Sequence, residues 1–538
     1  MASTRISHLI TVATVVSAIS LVAVPAATSA VPGRHLPSCA EPRMLCAEVT
    51  ESEEAFGHYV GHDEPELNFY SAQPGSGNDM RYSFTLPKDP PPSADHRVSY
   101  NFQLRPAMWF GMVLCDTQSY PEQVRHCTPN SDQNVVDPRV SPRHPGAAFM
   151  ELQFYPPGWV RQFDSQSCDA THWCAALTID SLSRNPLVGQ DLNDTCANQV
   201  LGGVEYVNFA YLTRSGKPQG PPDPLHFDPV ASGRPDPAKV LMMGQGDSVT
   251  LTMHDTAHGL RAELRDQTTH QSGSMVASAA NGFGQITFNP APSTACQETP
   301  YDFHPMYSTS APAVGAGTVW SAHTGNVAFS DEIGHFDFCT QVDTAAGTCT
   351  GQEGAPGDQE PADADDVACF PATASTLVPV AGCNGQNDGF DGTSYLPRWP
   401  DGNTRLHPTS ILFSSPRTGR DYRDTYPRIS FEADLAAIES TAGNQPCDVT
   451  TGQGCTRIPI TDDGTPAKFY PFYTKGSTPQ GCRWSIGNVI PGFTTNDFGR
   501  DREWGTIASD AHLVYGGGGA THDLFLNFRQ FLANPCQS

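Results

Sequence analysis

Short runs in which every second residue is apolar dominate the chain. Tyr100, Phe102 and Leu104 alternate with Asn101, Gln103 and Arg105. Met150, Leu152 and Phe154 alternate with Glu151, Gln153 and Tyr155. Val249, Leu251 and Met253 alternate with Thr250, Thr252 and His254, and Leu260, Ala262 and Leu264 with Arg261, Glu263 and Arg265. A period of two sends one face of a strand into a core and the other toward water or a partner. Gly, Pro, Asn and Asp bound these runs, which predicts a mainly β fold of antiparallel β-sandwich or jelly-roll domains with long Pro/Gly-rich loops. Long amphipathic helices are missing from the pattern. FEADLAAIES, from Phe431 to Ser440, is the best helix candidate.

Two stretches read as linkers or long loops. Arg214 to Lys239 is dense in proline and unsuited to a central strand. Gly351 to Asp366 is acidic and nearly free of apolar residues, the reading for a boundary or a large excursion.

Composition adds the compartment. An Arg5-bearing start, an apolar run from Leu9 to about Val24 and a small-residue AATSA predict a secretory signal peptide cut after Ala30. All 16 cysteines follow it, an even number that predicts disulfides in an exported chain. Cys168 and Cys174 are among several pairs close enough to close local loops, while Cys196, Cys296, Cys482 and Cys536 remain for longer links. A net charge of −26 argues against nucleic acid and anionic membranes as partners. No later stretch has the length to insert in a membrane. The expected organisation is a signal peptide over 1–30, a β-sandwich region over 31–345 (one unit or two packed jelly rolls), an acidic cysteine-bounded segment over 346–400 and a β-rich region over 401–538.

The stretches GHDEPELNFYSAQPGSGNDMRYSFTLPKDP, FQLRPAMWFGMVLCDTQS, FMELQFYPPGW, ANGFG, SDEIGHFDFC, DDVACFP and LHPTS resemble a family of predicted secreted proteins of bacteria and fungi. The resemblance runs over most of the chain after residue 30 and implies export and full-length coherence. It carries no activity with it.

Several reaction classes lack their motifs. G-x-S-x-G, H-E-x-x-H, a phosphate-binding glycine loop and a helix-opening GxGxxG are all absent. The densest gathering of imidazole, carboxylate and aromatic groups is Tyr301 to Thr340. In DEIGHFDFC, His335 and Asp337 alternate with Phe336 and Phe338, so on a strand they share the open face about 7 Å apart. Asp331 and Glu332 precede them, and His323 lies in WSAHT beside Trp320. Carboxylates beside histidine suit general acid–base work, which makes Asp331, Glu332, His335 and His323 the candidate catalytic set. The plainer reading has the acids capping turns and the histidines bonded to backbone. His304, beside Pro305, reads as an ordinary loop residue.

His254 and His258 stand four apart, a ligand spacing on a helix, but here between two strand patterns and so a hairpin connection. Asp363 and Asp365, with Asp388 and Asp391 in NGQNDGFDG, alternate hard oxygen donors with glycine and suit a structural Ca²⁺ site. A solvated acidic loop between Cys369 and Cys383 accounts for them equally well. Copper or zinc on His254, His323 and His335 is a further alternative. His62, Asp63 and Glu64 form another acidic group, more simply a turn opening a strand. Trp159, Trp320, Trp399 and Trp484 sit near turn residues and could stack on sugar rings, though each is more simply a packed side chain.

The expectation is therefore a secreted extracellular protein, first an enzyme on polysaccharide or glycoconjugate with an extracellular glycan or polymer as partner. The alternatives are a non-catalytic glycan- or surface-binding protein with structural calcium, and a metal-dependent oxidase or oxygenase with histidine ligands.

Overall fold

The structure is a computed structural model. It describes residues 66–71, 79–88, 108–116, 132–133, 146–155, 168–169, 171–181, 184–185, 190–191, 196, 206–228, 232–287, 296–305, 307–308, 321–328, 342–343, 348–349, 411–419, 421–435, 472–479, 481–486, 496–498, 508–514 and 521–537. Among these the fold is mainly β, as the alternation predicts, with no α-helix. No helix of the described residues is long and apolar enough to cross a membrane.

Two ten-stranded sheets form the body. The first runs Met243–Gly244, His172–Ser181, Gly146–Tyr155, Met108–Asp116, Ser321–Ala328, Glu66–Ser71, Arg428–Leu435, Thr521–Ala533, Ala508–Val514, with Tyr206–Tyr211 also paired to His172–Ser181. The second runs Ser272–Val276, Gly259–Asp266, Ser248–Thr256, Asp79–Thr85, Ile411–Ser414, Gly481–Ile486, Phe472–Thr478, Asn496–Phe498, with Arg417–Thr418 beside Asp79–Thr85 and Asp424–Thr425 beside Arg417–Thr418. Pairing within both is antiparallel. Strands from beyond residue 401 enter both sheets: Arg428–Leu435 pairs with Glu66–Ser71, and Ile411–Ser414 with Asp79–Thr85. The regions divided at 345 and 401 in the sequence thus share their sheets.

The inner faces meet in one core. Phe69, Phe110, Leu152 and Leu177 from the first sheet pack with Tyr82, Phe84, Leu251 and Leu264 from the second. Ring contacts cross the interface, Tyr82 to Phe110 at 4.5 Å and Phe84 to Phe154 at 5.3 Å edge-on. Each such side chain contributes roughly 1.5–3 kcal/mol through burial. Trp484 belongs to this core, edge-on to Phe69 at 6.4 Å, so it is no exposed sugar platform.

The helix expected from Phe431 does not form where the structure describes it. Arg428–Leu435 is a strand bonded on both edges, to Glu66–Ser71 and to Thr521–Ala533. Helix preferences differ by less than about 1 kcal/mol per residue for ordinary side chains, and two ladders with a buried Ile429 outweigh them.

The second face of Gly146–Tyr155 meets protein rather than water, for a reason that leads to the site. Glu151, Gln153 and Tyr155 alternate with the core residues as the sequence predicts, yet all three are buried. A second apolar layer covers that outer face: Tyr155, Ala176, Tyr211, Val240 and Met242, with the Cys168–Cys174 disulfide and partly buried Phe209. Val240 and Met242 follow the proline-rich stretch, and Phe227 within it contacts Phe209 at 5.4 Å. Hydrogen bonds link the side chains beneath. Gln153 donates to Glu151 at 2.6 Å and accepts from Tyr155 at 2.5 Å and Thr178 at 2.9 Å.

Candidate metal centre

The proline-rich stretch is a structured loop. Proline removes backbone donors, so side chains supply much of its bonding. The Gln219 amide donates to Arg234 O and Ser232 O and accepts from Asp236 N–H, zipping the two arms together. The Tyr211 hydroxyl holds Gly233 O at 2.9 Å. At the tip, Pro222 O accepts Phe209 N–H at 2.8 Å, which docks the loop on the strand Tyr206–Tyr211. Asp223 follows at once and caps its own turn: its Oδ1 accepts Leu225 N–H at 3.2 Å and His226 N–H at 2.9 Å. The same oxygen lies 2.7 Å from His226 Nδ1. Asp223 is buried, whereas the His226 ring is 69% exposed.

Glu298 arrives from the opposite side, on the short strand Glu298–Pro300 paired with Gly284–Ile286. Two features hold this hairpin. The Cys196–Cys296 disulfide ends two residues before Glu298. The fully buried Asn208 bonds both polar atoms of Gly284, from Nδ2 to its O at 2.9 Å and from its N to Oδ1 at 3.0 Å. Gly284 must lack a side chain, because a Cβ there would overlap the Glu298 carboxyl group. Ligand atoms of Asp223, His226 and Glu298 all lie within 4.8 Å of one another, the one such His/Cys/Asp/Glu group among the described residues.

The electrostatics divide the two acids. Burial, then the hydrogen bond and charge of Asp223, push Glu298 up to about 8. Burial also works to raise Asp223, but hydrogen bonds from Glu298, the His226 ring and the His226 N–H outweigh it and hold Asp223 below its ordinary value. Glu298 Oε2 is shielded from solvent and accepts no hydrogen bond. The proton that Glu298 shares with Asp223 keeps the two acids from facing each other as like charges, and a cation is one group that would take its place.

Other Asp–His pairs lack the third member. Asp169 repeats the arrangement of Asp223: it accepts Thr171 and His172 N–H groups, both at 2.7 Å, and approaches His172 Nδ1 at 2.8 Å. His304 is not the ordinary loop residue expected. Its Nδ1 lies 2.7 Å from Asp255 Oδ1, both side chains are largely buried, and its pKa is raised, first by that hydrogen bond. This pair ties the segment after Pro300 to the hairpin of Ser248–Thr256 and Gly259–Asp266.

None of the candidates read from sequence is among the three donors of this centre. Asp331, Glu332, His335 and Asp337 lie outside the described residues, as do Asp363, Asp365, Asp388 and Asp391. His323 lies on the strand Ser321–Ala328, where pairing with Glu66–Ser71 shifts register between Asn68 and Tyr70. His254 lies on the strand Ser248–Thr256 and His258 in the turn that connects it to Gly259–Asp266, a hairpin connection as expected, and His254 Nδ1 is shielded with no partner. Sequence reading passed over Asp223, His226 and Glu298. Its one available signal was Asp-x-x-His in the loop, and Asp169–His172 shows that this spacing alone marks only a capped turn.

No family model, curated relative or solved structure matches the chain.

Proposed function

We propose that the protein is an exported, metal-dependent enzyme acting on polysaccharide or glycoconjugate, with a divalent cation held by Asp223, His226 and Glu298. The observation that carries the cation is the convergence of these three donors within 4.8 Å, one of them the solvent-shielded Glu298 Oε2, which accepts no hydrogen bond. The exposed His226 ring favours turnover over a purely structural ion, since it puts solvent beside the donors. Catalytic cation sites combine about three protein ligands with an open position, whereas structural ones are closed. An ion there would supply Lewis acidity and lower the pKa of bound water. The protein's own part is to fix the donors: Asn208 and the disulfide hold the Glu298 hairpin, and Gln219 with Pro222 holds the loop. Glycan as the substrate class rests on the expected export and on the sandwich architecture, an analogy at the level of fold.

A second reading has direct support. Two carboxyl groups pushed apart in pKa form the usual arrangement of a general acid and its ionised partner. Chelation separates the two, because acid–base work by the pair alone survives it.

Glu298→Gln is the decisive variant. An amide keeps the shape and a donor toward Asp223 but forfeits the anionic ligand. The expected result is loss of cation binding and of product from a glycan panel, with the melting temperature kept. Full cation-dependent turnover in Glu298→Gln overturns the assignment. Glycan binding that requires the cation but yields no product replaces the enzyme with a recognition protein.

A further inference from the structure

We infer that the centre selects a first-row transition dication of the zinc class over calcium, an inference that rests on the cation reading above. Asp223 Oδ1 accepts two backbone N–H groups of its own turn, which leaves one oxygen of that carboxylate for a ligand. Asp223 O accepts Phe227 N–H at 2.9 Å, and Pro222 O accepts Phe209 N–H at 2.8 Å. Across the gap, Gly284 O accepts the Asn208 amide at 2.9 Å, and Phe283 O accepts Tyr301 N–H at 2.9 Å. Glu298 is pressed against Gly284 on its Oε1 side, and Oε2 accepts no hydrogen bond, so Oε2 is the oxygen open to a ligand once the proton shared with Asp223 leaves.

The site therefore offers one oxygen from each carboxylate and one imidazole nitrogen. Calcium takes about six to eight oxygens at roughly 2.3–2.6 Å, often with a bidentate carboxylate, and gains little from imidazole. Zinc takes about four ligands at roughly 2.0–2.2 Å and accepts mixed nitrogen and oxygen donors. Imidazole also suits copper, iron and nickel, so the class is transition dications in general. The anchors on both sides leave little freedom to recruit more oxygens: Asn208 and the Cys196–Cys296 bridge on one hairpin, Gln219 and Pro222 on the loop.

The test titrates chelator-treated full-length protein with Zn²⁺ and, separately, Ca²⁺ by calorimetry, and follows Co²⁺ by visible absorption. One Zn²⁺ per chain is expected, bound about 1,000-fold more tightly than Ca²⁺. The Co²⁺ form should show the intense bands of a four- or five-coordinate ion. His226→Ala should weaken Zn²⁺ by about 100-fold and leave weak Ca²⁺ binding unchanged. Stoichiometric Ca²⁺ binding as tight as Zn²⁺, lost in Glu298→Gln but untouched by His226→Ala, overturns the selectivity and keeps the cation centre. Absence of any binding that responds to either variant overturns both.

Discussion

The strands Gly146–Tyr155 and Ser248–Thr256 carry the same alternation of apolar and polar residues and meet opposite surroundings. In the second, Leu251 and Met253 enter the core while Thr252 and His254 remain partly exposed. In the first, Leu152 and Phe154 enter the same core, and Glu151 and Gln153 are buried as well. The cause lies about 70 residues downstream, where the proline-rich loop folds back over the outer face. The same loop carries two of the cation donors: docked along the strand Tyr206–Tyr211, it brings Asp223 and His226 against a fixed hairpin. Alternation therefore identifies which residues face a core; it does not say whether the other face has a roof.

The largest expected effect comes from loosening the hairpin against which the loop is pinned. Replacing Cys196 and Cys296 together with serine removes a bridge spanning 100 residues, at an expected cost of about 3–5 kcal/mol in urea unfolding. The Glu298 hairpin should loosen with it and cation affinity fall. Next comes Gln153→Ala, which removes the acceptor of two hydroxyls and the donor to Glu151, for about 2–4 kcal/mol. Thr252→Ala, the corresponding change on the open face, should stay within about 0.5 kcal/mol. Equal costs for Gln153→Ala and Thr252→Ala would remove the distinction between the faces.

Two pH experiments sharpen it further. Glu298, at about 8, is protonated at neutral pH without an ion, so proton and cation compete. Apparent cation affinity should fall about tenfold per pH unit below pH 8, as calorimetry at several pH values would reveal. At the far end of the strand Ser248–Thr256, the Asp255–His304 bond raises His304. Its contribution is full below the histidine value of an unfolded chain, roughly 6.5, and is lost as pH rises through the higher folded value. Asp255→Asn should cost about 1–2 kcal/mol at pH 6 and flatten the decline in stability toward alkaline pH.

The sequence made much of the fold legible. Leu67, Leu152, Leu251 and Leu264 occupy the buried positions their alternation assigns. Cys168–Cys174 is a local bridge, and Cys196–Cys296 and Cys482–Cys536 are long links among the four cysteines reserved for them. FEADLAAIES was misread because helix propensity is local, while Arg428–Leu435 is held by partners far away in the chain. The candidate site was hardly legible. Asp223 and His226 share a turn, but Glu298 lies over 70 residues away and meets them only after two strands and a disulfide are in place.

What the chain determines alone is whatever depends on neighbours in sequence: strand periodicity, the breaking effect of proline, the turn that Asp223 caps with its own carboxylate. What the tertiary structure decides is which of two identical turns becomes a centre. Asp169–His172 and Asp223–His226 bond in the same way, and only Asp223 faces a Glu298 held in place by Gly284 and Asn208. Local hydrogen bonds are written in short spacings, but the approach of a third charge is set by how distant strands pack.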